Sequence, residues 1–173
     1  MTKKRIFLDC GQFDGVAIEQ YVVDDSWDIY SFEPNPKSKN THLPKHKLIR
    51  KAVWVKNGTV VFSLDPAYQA SHIKDVAGTD YDDKKLVPSI DFSRFVAGLP
   101  EDALIVCSMD IEGAEFQVLR KMIKDGTIQR ISVLDVEFHH RMMFDEDDNT
   151  ARKLIQELTE LGVIVRLKIV LNK

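Results

Sequence analysis

Several acids and a pair of histidines stand where apolar, β-branched runs end. Asp9 lies near the end of Arg5-Ile-Phe-Leu-Asp-Cys10 and leads into Gly11-Gln12-Phe13-Asp14-Gly15, while Glu33 closes Asp28-Ile-Tyr-Ser-Phe-Glu33. Asp110 follows the run Ala103 to Met109 and introduces Ile111-Glu112-Gly113. Glu137-Phe138-His139-His140 ends a fourth run. An acid and two glycines at a strand-to-helix turn make a nucleotide-site candidate, because ligands of open α/β sheets bind at the carboxyl ends of the strands. The dinucleotide fingerprint G-x-G-x-x-G is missing, since Phe13 and Val16 break it. A carboxylate leading into the loop also repels phosphate and suits a cationic ligand. Glu33 lies 22 residues after Gly11, near the spacing of an acid that accepts hydrogen bonds from ribose hydroxyls. Together these positions indicate an adenosine-type ligand.

The histidines invite two readings. Adjacent residues on an extended segment point to opposite sides, so His139 and His140 are poorly placed to chelate one metal ion; no metal site is expected. An imidazole titrates in the range useful for deprotonating a hydroxyl, which makes His139 the expected general base, with Glu137 orienting or pairing with a neighbour. Glu115 is expected to favour the N-terminal dipole of its helix. His72, in Gln69-Ala-Ser-His72, is expected to line an acceptor pocket, with Glu112 and His140.

The elements that must position these groups alternate between strand-like runs and segments of helical period, the signature of a parallel sheet covered by helices. After the first strand a helix is expected over 13–23, then a strand over 28–33 and a short helix over 37–43. Strands over 47–55 and 59–64 are expected to form a hairpin across Lys56-Asn57-Gly58. Asp65 to Pro88 is polar and irregular, and reads as a long loop suited to serve as a lid. A short helix over 91–97 with Asp91 as N-cap follows. Then come a strand over 103–109, a helix over 114–124, a strand over 130–138, a helix over 148–161 closed by Gly162, and a strand over 163–171. No further strand or substrate lid is expected after it.

Several motifs carry a resemblance to a known family. Phe-Leu-Asp-Cys-Gly-Gln-Phe-Asp-Gly (7–15), Phe-Glu-Pro-Asn-Pro (32–36), Lys-Ala-Val-Trp with Asn-Gly-Thr-Val-Val-Phe (51–62), Met-Asp-Ile-Glu-Gly-Ala-Glu-Phe-Gln-Val-Leu (109–119) and Val-Glu-Phe-His (136–139) resemble, in order, the FkbM family of S-adenosylmethionine-dependent methyltransferases. The resemblance implies a Rossmann-like class I methyltransferase fold, a mostly parallel twisted sheet with helices on both faces in one minimal domain, 1–173. It implies S-adenosylmethionine as cosubstrate and O-methylation of a sugar, glycan or natural-product hydroxyl. Asp9, Gly11, Gln12, Phe13, Asp14 and Gly15 would wrap the methionine part, Glu33 would hold the ribose, and Asp110 would face the transferable methyl. Two other classes remain: a cosubstrate-binding module without transfer activity that acts through a partner, and an NAD-dependent oxidoreductase.

Composition sets the outer bounds. The 173 residues are one domain's worth. With 24 Lys and Arg against 27 Asp and Glu, the formal charge of −3 argues against a general polyanion binder, so no specific nucleic acid is expected. No apolar run approaches a membrane span and no signal-peptide core follows Met1, so a cytoplasmic protein is expected. The expected partner is a small-molecule or glycan acceptor, and homo-oligomerisation is left open. Cys10 and Cys107 are expected as buried thiols.

Overall fold

The computed structural model describes residues 3–11, 18, 26–36, 45–65, 71–74, 82–139 and 147–168. Six strands form the main sheet: β1 (Arg5–Cys10), β2 (Trp27–Phe32), β3 (His46–Ile49), β8 (Leu104–Met109), β9 (Val133–Val136) and β10 (Ile164–Leu167). Their spatial order is β3-β2-β1-β8-β9-β10, and every pairing is parallel. This is the doubly wound order, and the chain reverses direction across the sheet between β1 and β8. A second, four-stranded sheet, ordered β4-β7-β5-β6, is built from β4 (Ala52–Trp54), β5 (Gly58–Ser63), β6 (His72–Ile73) and β7 (Lys84–Asp91), all between β3 and the next helix.

Parallel strands are covered on both faces, so their sequences read as continuous apolar runs. In β1, Ile6, Leu8 and Cys10 belong to one cluster with Ile105, Cys107 and Met109 of β8. Helices α1 (Phe92–Ala97), α2 (Glu115–Lys124) and α3 (Asp148–Glu160) supply Phe92, Val96, Phe116, Leu119, Leu154 and Leu158 to that cluster. The alternate residue Phe7 packs with Ile18, Trp27, Ile29 and Val106 in a separate cluster. Both cysteines are free and buried, as expected. Asp91 caps α1 by accepting from the Arg94 N–H, and Gly162, at φ +88, follows the end of α3. No helix among the described residues is long and apolar enough to cross a membrane.

Three expectations are corrected. The Asn57-Gly58 turn does not close a hairpin: β5 pairs antiparallel with β7, and β4 pairs parallel with the far side of β7. The single strand expected over 47–55 accordingly divides at Arg50-Lys51 into β3 and β4, which belong to different sheets. The supposed loop from Asp65 to Pro88 contains β6 and most of β7. Pro88 is tolerated in this central strand because pairing with β4 begins one residue later, at Ser89, so that side demands no donor from it. The helices expected over 37–43 and, apart from Ile18, over 13–23 lie outside the described residues.

Candidate active site

The parallel register brings the acids of three strands to one edge. Asp9 pairs with Ser31 of β2 and Ser108 of β8, and Glu33 and Asp110 follow directly after those two strands. Gly11 N donates to Phe32 O and Asp110 N to Cys10 O, which ties the three strand ends together. Gly11 has φ +86, and a Cβ placed there would lie 1.8 Å from the Asp110 carbonyl oxygen. The glycine is therefore required by the neighbouring strand end as well as by its own turn.

Asp9 is only 1% exposed. Burial pushes its carboxyl up to about 7, against the pull of Lys168 and of the Ser31 hydroxyl, which donates to Oδ2 at 3.4 Å. His46 Nε2 lies 2.9 Å from the same hydroxyl. Glu33, 6% exposed, accepts the Asn35 N–H at 2.7 Å through Oε1, so the chain after β2 folds back over its carboxylate.

At the end of β8 the chain makes a strained turn, with Glu112 at φ +53 and Gly113 at φ +99. A non-glycine residue in the left-handed region is a mark of functional turns. Fully buried Glu115 fixes the turn, accepting from Ile111 N at 2.8 Å and from Gly113 N at 2.9 Å. Ala114, at the N-cap of α2, provides no side-chain cap, and the two amides that Glu115 accepts belong to the turn before the helix. Its Oε1 also lies 3.0 Å from Nδ1 of His139, two residues past Glu137 beyond β9.

His139 is thus the centre of a ring of acids. Its Nε2 lies 3.4 Å from Glu112 Oε2, 3.4 Å from Glu137 Oε1 and 3.7 Å from Asp110 Oδ1. Burial favours the neutral ring, but the Glu115 hydrogen bond and the charges of Glu115, Glu112 and Asp110 outweigh it and raise the imidazole to about 9. The direction favours the charged ring, the form in which Nδ1 donates to Glu115. Glu112 is held up at about 7, first by burial and then by Asp110, Glu115 and Glu137, with His139 opposing. Burial and Asp110 likewise raise Glu137.

Asp110, Glu115 and His139 offer ligand atoms within 4.8 Å of one another, a spread a metal ion can span. Both Glu115 oxygens already accept backbone N–H groups, however, so the arrangement reads as an ion-paired histidine. Lys168, just past β10, reaches back across β9 to place Nζ 3.6 Å from Asp110 Oδ2.

The edge therefore gathers Asp9, Gly11, Glu33, Asp110, Glu112, Glu137 and His139. His72 lies in β6 opposite Ser63 and is buried there rather than exposed on a loop. Gln12, Phe13, Asp14, Gly15 and His140 lie outside the described residues. Reading the sequence missed Lys168 and the Ser31–His46 pair, which no local motif marks. It credited Glu115 with the helix dipole alone; the Glu-Gly-Ala-Glu spacing, with no capping side chain before the helix, was the available signal.

The donor set fits an adenosylmethionine-type molecule: a buried acid after β2 for ribose hydroxyls, and excess negative charge beside β1 and β8 for a cationic group. A family model described as the methyltransferase FkbM domain matches residues 9–165. No curated protein and no solved structure matches the chain.

Proposed function

The chain belongs to the FkbM methyltransferase family, and from that premise we propose that it methylates a hydroxyl oxygen of a sugar, glycan or small natural product, with S-adenosylmethionine as cosubstrate, in the cytoplasm. The observation that carries this reading is the convergence of Asp9, Glu33 and Asp110 at the carboxyl ends of three adjacent parallel strands, where the strand order reverses. When bound, the cosubstrate supplies a sulfonium-activated methyl group.

The chain's own residues do the rest. Glu33 accepts hydrogen bonds from the ribose. Asp110, with the acids around it, favours a positive charge over the end of β8. Glu112 takes the acceptor's hydroxyl proton: its carboxyl titrates near neutrality, and its strained backbone presents it at the crevice beside His139. His139 keeps its own proton, held by Glu115, and so fixes the positions of Glu112 and Glu137. Alignment of the two reactants at this edge supplies much of the acceleration.

The test is calorimetry with S-adenosylmethionine, followed by transfer of its labelled methyl to a panel of hydroxylated acceptors. Binding with turnover supports the reading, and Glu33→Ala should weaken binding by about 1.5–3 kcal/mol if the ribose bonds are charge-assisted. Binding without turnover on any acceptor would favour a cosubstrate-binding module. Stabilisation by NAD but not by adenosylmethionine in a thermal-shift comparison would favour an oxidoreductase.

A further inference from the structure

We propose that Lys168 binds the α-carboxylate of the cosubstrate's methionine end while Asp110 takes its ammonium group. The inference rests on adenosylmethionine being the cosubstrate, and it adds a residue that lies beyond the 9–165 span of the family match.

The methionine end is a zwitterion, with ammonium and carboxylate on one carbon. An edge lined by Asp9, Asp110, Glu112 and Glu137 receives the ammonium readily and repels the carboxylate, unless a cation stands beside it. Near Asp110 the cations among the described residues are His139 and Lys168. His139 is committed to Glu115 and ringed by Glu112 and Glu137. Lys168 is differently placed. Its backbone N–H is tied to Val136 O at 2.9 Å, so the residue is anchored to the end of β9. Its ammonium is 3.6 Å from Asp110 Oδ2, longer than the 2.7–2.9 Å of a tight charge-assisted hydrogen bond. The side chain is 28% exposed, within reach of a ligand. Its charge also acts on Asp9 and Glu137, opposing part of the rise that burial gives each carboxyl, as expected of a cation held near the strand ends. A loose acid–lysine pair presents opposite charges on the same scale as the zwitterion, and a ligand carboxylate on Lys168 replaces the attraction that Asp110 gives up to the ammonium.

The experiment compares two probes by calorimetry on the full chain: S-adenosylhomocysteine and its decarboxylated analogue, which keeps the amine. The wild type should prefer S-adenosylhomocysteine by tenfold or more. Lys168→Met should lose about tenfold in affinity for S-adenosylhomocysteine and stay within twofold for the decarboxylated analogue, and Lys168→Arg should restore most of the preference. A Lys168→Met variant that weakens both probes equally, or a wild type that does not discriminate between them, overturns the proposal. A folded wild type that binds neither probe overturns the cosubstrate reading beneath it.

Discussion

Replacing Glu115 by Gln changes one buried atom and tests the charge logic of the whole edge. Glu115 is fully buried and accepts three donors: Ile111 N at 2.8 Å, Gly113 N at 2.9 Å and His139 Nδ1 at 3.0 Å. An amide keeps one accepting oxygen and turns an NH2 group toward at least one of these donors. An unsatisfied buried donor costs about 1–3 kcal/mol at any pH. A second loss is confined to the pH range where His139 is charged, because a hydrogen bond from imidazolium to carboxylate contributes about 1.5–3 kcal/mol. The sign follows from the imidazole standing at about 9 in the folded chain, above its ordinary 6.5. Its contribution is fully present below pH 6.5 and is lost as pH rises through 9. Glu115→Gln should therefore destabilise more at pH 6 than at pH 10, by about 1.5–3 kcal/mol, and should lower the His139 pKa by about one to two units. Urea denaturation at the two pH values measures the first effect, and an NMR titration of the ring measures the second. Equal destabilisation at both pH values, with an unmoved His139 titration, would refute the argument.

Further outcomes follow from the same geometry. Gly11→Ala should cost about 2–5 kcal/mol in urea denaturation, combining the left-handed backbone penalty with a Cβ 1.8 Å from the Asp110 carbonyl oxygen. Asp9 and Glu112 are both held at about 7, above their ordinary values, so the folded state is favoured below about pH 4 and loses that advantage as pH rises through 7. Asp9→Asn should flatten this decline, and a pH series of denaturation midpoints that keeps its wild-type slope in the variant would contradict it. Glu112→Gln should lower kcat by about 10²–10⁴ and leave cosubstrate affinity within twofold, as loss of a proton-transfer role requires. His139→Gln should instead shift the pH–rate profile, since it removes the charge that opposes the rise of the Glu112 pKa.

What could be read in the sequence was mostly what local physics decides. The bounds of β1, the Asp91 cap and the Gly162 stop depend on neighbouring residues, and they stand where the residue types place them. The Asn57-Gly58 turn misled because its signal is equally local, whereas the choice of partner is not. β5 gains six paired residues with β7, from Gly58↔Ser89 to Ser63↔Lys84, and the three-residue β4 could never match that. β7 itself was hidden by Pro88 and by the charged pair Lys84-Lys85, which occupy exposed positions of a strand only half covered. At the site, the strand-end acids were legible because parallel α/β sheets put function there. The Glu115–His139 contact joins residues 24 apart. It exists only because β9 lies beside β8, with Met109 opposite Val136, which no motif states. The charge state of His139 was beyond reach for the same reason: a lone imidazole titrates near neutrality, and only the assembled ring of acids moves it.

The second sheet gives that ring a foundation. Its core, formed by Ala52, Phe62, Leu64, Ile73 and Val87, also takes in Ala114 and packs against Ile111. These two residues flank Glu112 and Gly113, the two positions of positive φ in the turn after β8. One apolar anchor on each side holds the turn in a conformation that would otherwise relax, since a left-handed non-glycine residue costs about 1–2 kcal/mol. Glu115 fixes the same turn from the side of the main sheet through its two backbone hydrogen bonds. The backbone that carries Glu112 is therefore held by both sheets at once, and the segment between β3 and α1 takes part in shaping the turn after β8.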